Sequence, residues 1–225
     1  MASQISHIVY AKKYFEALET GSLVKNSNGE EKISYPLGKL NKDEFLLGCV
    51  FPDIRRIDEN VKRKDTHMKF LPLNLDFSGL TSFQAGWKFH LWCDMKREKI
   101  LNDLGFYKLQ NTSDLYNFPS KILEDEFSYG EYNNWEKLKN YFNNPPFLGM
   151  DISISRETYN LWYAMIARYI ENNPNEKSMR IFLSKNSHLP ASLDEIMKKI
   201  ILIKQDKKAV ELLKKISQKI IYPAE

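Results

Sequence analysis

The sequence predicts an all-α protein of 225 residues, folded as a single multi-helix domain. Three observations carry that reading. Glycine and proline number nine each, too few for a turn-rich β fold. Apolar residues recur at three- and four-residue spacing through several segments. Residues suited to helix starts and stops flank those segments. A hydrophobic fraction of 43% is that of a chain with a core, and the length suffices to bury one.

The first helix is expected over Gln4–Glu19, with Ser3 as N-cap and Ile5, Ile8, Val9, Phe15 and Leu18 as its apolar stripe. His7 falls on the side shared with Ala11, Tyr14 and Leu18. Gly21 to Pro36 is polar and reads as loop. A helix follows from Lys42 to Phe51, capped by Asn41 and ended by Pro52, which disfavours the α region for the residue before it. Arg55 to Phe70 is charged and has no helical period, and Leu71 to Gly79 reads as loop or extended chain. Thr81 or Ser82 opens a long helix running to Leu104, where Gly105 supplies a left-handed stop. Further helices are expected at Pro119–Ser128, Asn134–Phe142, Arg156–Asn172 and Glu176–Lys185. Breaks fall at Asn143-Asn144-Pro145-Pro146 and at Asn172–Asn175. Ser192 and Glu195 make a capping box for one long or two short helices through Ile221.

The net charge of +4 is modest and gives no argument for nucleic acid. No stretch approaches eighteen apolar residues, and Met-Ala-Ser-Gln-Ile-Ser-His lacks the pattern of a secretory signal. Cys49 and Cys93 are too few for a disulfide framework and read as reduced core thiols. Together these features suggest a cytoplasmic protein.

Four histidines occur in the chain, and three lie within the first ninety residues: His7, His67 and His90. His90 and Asp94 are four apart in a helical segment, so both side chains lie on one face. Asp53 sits just past the Pro52 helix end, where its side chain can turn inward. Three imidazoles and two carboxylates suit zinc, manganese or iron, as one or two ions. Gly86, one turn before His90, permits close approach of a substrate or another helix. Phe83 and Trp87 are expected to wall the site. Each ligand taken singly has an ordinary explanation as a core or solvated residue; the argument is their concentration.

Ser6-His7, Phe45-Leu-Leu-Gly-Cys-Val-Phe-Pro-Asp-Ile54, Asp65-Thr66-His67 and Gly86…His90…Asp94 resemble, in order and distance, the zinc-dependent phospholipase C family. The resemblance covers about the first 105 residues. It implies the all-α phospholipase C/P1 nuclease fold, with residues 1–105 as a metal-binding half and 106–225 as a helical packing half. It also implies that Asp53, His67, His90 and Asp94 hold one metal, and that His7 holds a second with Asp94 bridging. The chain departs from the family downstream of Asp94. The family's further pair of histidines and glutamate has no counterpart, since only His188 follows.

The expected activity is hydrolysis of a phosphoester or phosphodiester by a metal-activated water. Asp65 is the candidate base or supporting carboxylate, and Arg55 and Arg56 the candidate phosphate contacts. The substrate would be a small phosphorylated molecule or a phospholipid. Two other classes compete. One is a non-catalytic helical protein with a structural or degenerate metal site. The other is an interaction module whose C-terminal lysines (Lys198, Lys199, Lys204, Lys207, Lys208, Lys214, Lys215 and Lys219) make weak contact with a membrane surface. The oligomeric state is not readable from the sequence.

Overall fold

The computed structural model describes residues 4–21 and 40–221. Among them lie ten α-helices and no strand, as the low glycine content and helical spacing predicted. They are α1 (Gln4–Glu19), α2 (Lys42–Val50), α3 (Arg63–His67), α4 (Ser82–Asp103), α5 (Phe118–Ser128), α6 (Trp135–Asn143), α7 (Arg156–Tyr169), α8 (Glu176–Leu183), α9 (Leu193–Gln205) and α10 (Lys207–Lys219). Nearly all of the loop expected before Pro36, and the Ser3 cap, fall outside the described residues. No helix of the described residues is long and apolar enough to cross a membrane.

α1 is the central element. Every residue from Gln4 to Ala11 is buried, including Ser6, His7 and Tyr10, which lie off the predicted stripe. The stripe is too narrow a description because α2, α4, α5 and α10 all pack against this helix. A helix covered all round carries its polar side chains into the interior, where each needs a partner. The Ser6 backbone N–H and hydroxyl both donate to Asp125 of α5. Tyr10 donates to Glu124, which also accepts from Arg97 Nε at 2.7 Å. This buried group ties α1, α4 and α5 together.

α2 and α4 cross in unusually close contact, and two glycines make the crossing possible. A Cβ on Gly48 would stand 2.0 Å from the Phe83 carbonyl oxygen, and one on Gly86 would stand 1.9 Å from that of Phe45. The close approach expected at Gly86 is therefore made by a helix backbone. α2 starts at the predicted cap: the Asn41 side chain accepts from the N–H groups of Asp43 and Glu44. α4 likewise starts at Thr81, whose hydroxyl and Gln84 form a reciprocal capping box, and ends before a left-handed Gly105.

Two expectations need correction. Pro52 does not turn the chain out of helical geometry at Phe51, whose φ of −63° and ψ of −43° are helical. The α-helix instead tightens into a 3-10 helix over Phe51–Arg56. Proline at a first helical position has no N–H to leave unbonded, so the turn tolerates it. The second correction is α3, a five-residue helix inside the segment read as loop. It is too short to show a period, and Asp65 holds its start by accepting from the Lys62 N–H at 2.8 Å. Trp87 of α4 anchors it by donating from its indole to the Thr66 carbonyl at 2.6 Å.

α5 follows a turn in which Leu115, Tyr116 and Asn117 all have positive φ. α7 covers the end of α2, where Trp162 and Tyr163 donate to the Val50 and Leu47 carbonyls. The predicted C-terminal helical region is two helices. Asp206 breaks it and caps α10 through the N–H groups of Lys208 and Ala209. Three of its lysines form ion pairs within the protein: Lys199 with Asp114, Lys204 with Glu126 and Lys215 with Glu211.

Candidate metal centre

The five ligand candidates come from four separate elements and meet beside the α2–α4 crossing. Two sets of potential ligand atoms result: Asp53, His67 and His90 in one, His7, His90 and Asp94 in the other. Within each set the atoms lie within 4.8 Å of one another. All of the predicted metal ligands are therefore brought together. His188, the fourth histidine, is exposed.

The backbone geometry around α2 prepares His90. Its Nδ1 lies 2.7 Å from the Cys49 carbonyl, an α2 oxygen brought near by the glycine crossing. Donation to that carbonyl places the hydrogen on Nδ1 and turns the Nε2 lone pair toward the cluster. His67 has a hydroxyl in the corresponding place, a group that can donate or accept. Its Nδ1 lies 2.8 Å from the Thr66 hydroxyl, which leaves Nε2 facing Asp53 Oδ1 at 4.0 Å. Asp53 is fixed from its other oxygen, Oδ2, which accepts from the Gln4 amide at 3.0 Å.

Three atoms of this first set lack a hydrogen bond among the described residues, although Asp53 Oδ1 is in ion-pair contact with Arg56. Asp53 Oδ1, His67 Nε2 and His90 Nε2 are buried and have no hydrogen-bond partner among the described residues. A buried polar atom left unpaired costs free energy, and three of them converging is a donor set suited to a divalent ion. The set fits zinc, manganese or iron by ligand type, with two nitrogens and one oxygen.

The second set is arranged differently. His7 stacks on His90 with ring centroids 4.0 Å apart. Its Nε2 lies 3.2 Å from the His90 carbonyl and 4.0 Å from Asp94 Oδ1. The resemblance makes Asp94 the bridge between two ions, whereas in the structure His90 is common to both sets. One imidazole nitrogen binds one ion, so the two sets compete for His90 as they stand.

Burial would raise the Asp53 carboxyl, but the Arg56 guanidinium, with His90 and His67, outweighs it and holds the group well below the usual carboxylate range. Burial would likewise raise Asp94, and Lys121 beside it, with His90 and His7, reverses the shift. Burial lowers His67 to about 3 and His90 to about 4, against the pull of the two carboxylates. At neutral pH Asp53 and Asp94 are therefore ionised and His67 and His90 neutral, the protonation states that metal binding requires.

The two predicted arginines part company. Arg56 Nε stands 3.3 Å from Asp53 Oδ1, and the guanidinium lies over the Phe118 ring. It braces Asp53 against α5 and is buried. Arg55 Nη2 is 4.0 Å from the same oxygen, and its buried Nε and Nη2 have no hydrogen-bond partner among the described residues. Asp65 belongs to neither ligand set and serves the start of α3. Of the expected walls, Trp87 packs edge-on against Phe51, Phe83 and Phe70.

Sequence reasoning missed one residue at the centre, Lys121 of α5. Its Nζ lies 3.9 Å from Asp94 Oδ1. No local motif marks it. The available signal is a lysine one turn before Glu124 on a face that is otherwise buried, since Phe118, Ile122 and Asp125 are all interior.

A groove of about 590 Å³ lies between α7 and α8, lined by residues such as Leu161, Met165 and Ile181. It shares no residue with either ligand set and is not where this chemistry resides. No family model matches the chain, and no curated protein or solved structure gives a match.

Proposed function

We propose that the protein is a metal-dependent hydrolase of phosphoesters, with a fold like that of the zinc-dependent phospholipase C family. The supporting observation is the convergence of Asp53 Oδ1, His67 Nε2 and His90 Nε2, three buried ligand atoms that lack other hydrogen-bond partners among the described residues. Asp53, His67 and His90 would hold the ion, which is zinc, manganese or iron, and Asp94 stands beside it. When bound, such an ion supplies Lewis acidity to a phosphoryl oxygen and makes its water acidic near neutral pH. The chain's own residues orient and select. The Cys49 carbonyl fixes the His90 tautomer, the Thr66 hydroxyl contacts His67 Nδ1, Gln4 and Arg56 hold Asp53 in place, and Arg55 presents N–H donors to a phosphate oxygen.

Elemental analysis of wild type against His90→Ala tests the site, with one equivalent of metal expected in the first and none in the second. Hydrolysis of a panel of phosphomonoesters and phosphodiesters by protein loaded with zinc, manganese or iron tests the activity. A metal-replete wild type that cleaves none of them sinks the enzymatic reading. That result would favour a structural ion, for which the complete burial of Asp53 and His90 is the supporting observation.

A further inference from the structure

Resting on the hydrolase reading above, we propose that the site is built for a dianionic phosphate group, bound with the help of Arg55 and Lys121. Its substrates are therefore phosphomonoesters in preference to phosphodiesters.

The charge inventory comes first. Among the described residues, three cationic side chains stand around the two carboxylates, Arg55, Arg56 and Lys121, each within 4.0 Å of a carboxylate oxygen. Three cationic side chains against two carboxylates leave one positive charge in excess among these groups before any metal enters. Asp53 is compensated by Arg56 and Asp94 by Lys121. A divalent ion then raises the excess to three, at a place where low dielectric magnifies it. A second divalent ion would raise it further, and the sharing of His90 already argues for one ion. Such a site binds an anion strongly, and a dianion better than a monoanion.

The location of the cations comes second. Asp53, His90, His7 and His67 have side chains at most 2% exposed, whereas Arg55, Asp94 and Lys121 retain 10–14%. The residual exposure of the cluster therefore lies on Arg55, Asp94 and Lys121.

The unused donors come third. Arg55 Nε and Nη2 are buried and lack acceptors among the described residues. A guanidinium offers its N–H groups as a planar fork matched to two phosphate oxygens. A phosphomonoester has three non-bridging oxygens and a diester two. An ion, a guanidinium fork and an ammonium together offer four contacts, which the three oxygens and double charge of a monoester satisfy better than the two oxygens and single charge of a diester.

The reaction balances with water alone. A water oxygen forms the new bond to phosphorus, and the ester P–O bond breaks with its electron pair on the alcohol oxygen. One water proton ends on the alcohol and the other on the phosphate.

Calorimetric titration of metal-loaded protein with inorganic phosphate and with dimethyl phosphate, at about pH 8 where the former is a dianion, tests this. Phosphate is expected to bind at least about tenfold more tightly, and Arg55→Met and Lys121→Met each to weaken phosphate by roughly tenfold or more. Lys121→Met is also expected to tighten metal binding, because a cation leaves the neighbourhood of Asp94. These opposite signs separate the proposal from mere structural damage, which weakens both. Equal affinity for the two anions, or joint loss of metal and phosphate in Lys121→Met, overturns it. A wild type that takes no metal sinks the hydrolase reading alone. Phosphate binding to that metal-free protein, weakened in both variants, still supports the anion site, and its absence overturns it.

Discussion

Replacing Gly86 by alanine adds one methyl group at the tightest point of the α2–α4 crossing. The new Cβ would stand 1.9 Å from the Phe45 carbonyl oxygen, which is backbone and cannot rotate away. Ordinary non-bonded contact lies beyond about 3 Å, so α4 must retreat by about 1 Å or more. That retreat stretches the 2.7 Å contact between His90 Nδ1 and the Cys49 carbonyl past hydrogen-bonding range. The overpacking costs about 1–3 kcal/mol, and the unpaired buried donor and acceptor cost about 1–3 kcal/mol more. Against this stands the helix propensity of alanine, which favours the substitution by about 1 kcal/mol. The expected net effect is a destabilisation of about 3 kcal/mol. Urea unfolding of the metal-free protein reads it directly, and metal titration reads the accompanying loss of affinity. Gly130→Ala is the control, since nothing lies within 4 Å of a Cβ built there. An unchanged or raised midpoint for Gly86→Ala would mean that propensity wins, and that the glycine crossing does not set the ligand geometry.

Other outcomes are expected of the same framework. Trp87→Phe removes the indole bond to the Thr66 carbonyl, loosens α3 and costs about 1 kcal/mol; metal titration should find weaker binding, and unaltered affinity would show that His67 is positioned by other contacts. Glu124→Ala leaves Arg97 as a buried cation without its carboxylate and is expected to cost about 3–5 kcal/mol in chemical denaturation, with a loss under about 1 kcal/mol contradicting that buried pair. Acid should destabilise the metal-free protein. Its histidines take up protons at about 3 and 4 when folded but near 6.5 when unfolded, so stability is complete above 6.5 and lost as the pH falls below it. At pH 5 the loss is roughly 2 kcal/mol for each of the two, and carboxylates with lowered values extend it further down. Urea midpoints that stay level between pH 7 and 5 would contradict this.

How much was legible in the sequence depends on where each determinant lies. α4 was readable end to end because its signals are local, with Thr81 and Gln84 at the start and Gly105 at the stop. The ligand set was readable because imidazoles are rare in this chain and His90 and Asp94 are joined by helical spacing alone. α3 was not, since its five residues are held by Trp87 from the middle of α4. Arg55 and Arg56 looked alike in sequence, and only Phe118 and Asp53 tell them apart. Lys121 was invisible for the same reason: its role depends on α5 lying against α1 and α4, a contact that no residue near it in the chain announces.

The central place of α1 bears on the order in which the molecule is completed. Its contacts reach α5 and α10, and Lys13 bonds the Ser217 carbonyl across 204 residues of chain. Contacts so distant close late, because loop entropy must be overcome before they form. The first of these helices to be synthesised is thus among the last to be secured. His7 reaches its stacked position on His90 only when that happens, and Asp53 gains its bond from Gln4 of α1 at the same stage, whereas His67 and His90 depend on a compact stretch of about fifty residues around the glycine crossing. The placing of His67 and His90 is then a local property of the chain, and the settling of Asp53, His7 and Asp94 is a property of the finished molecule.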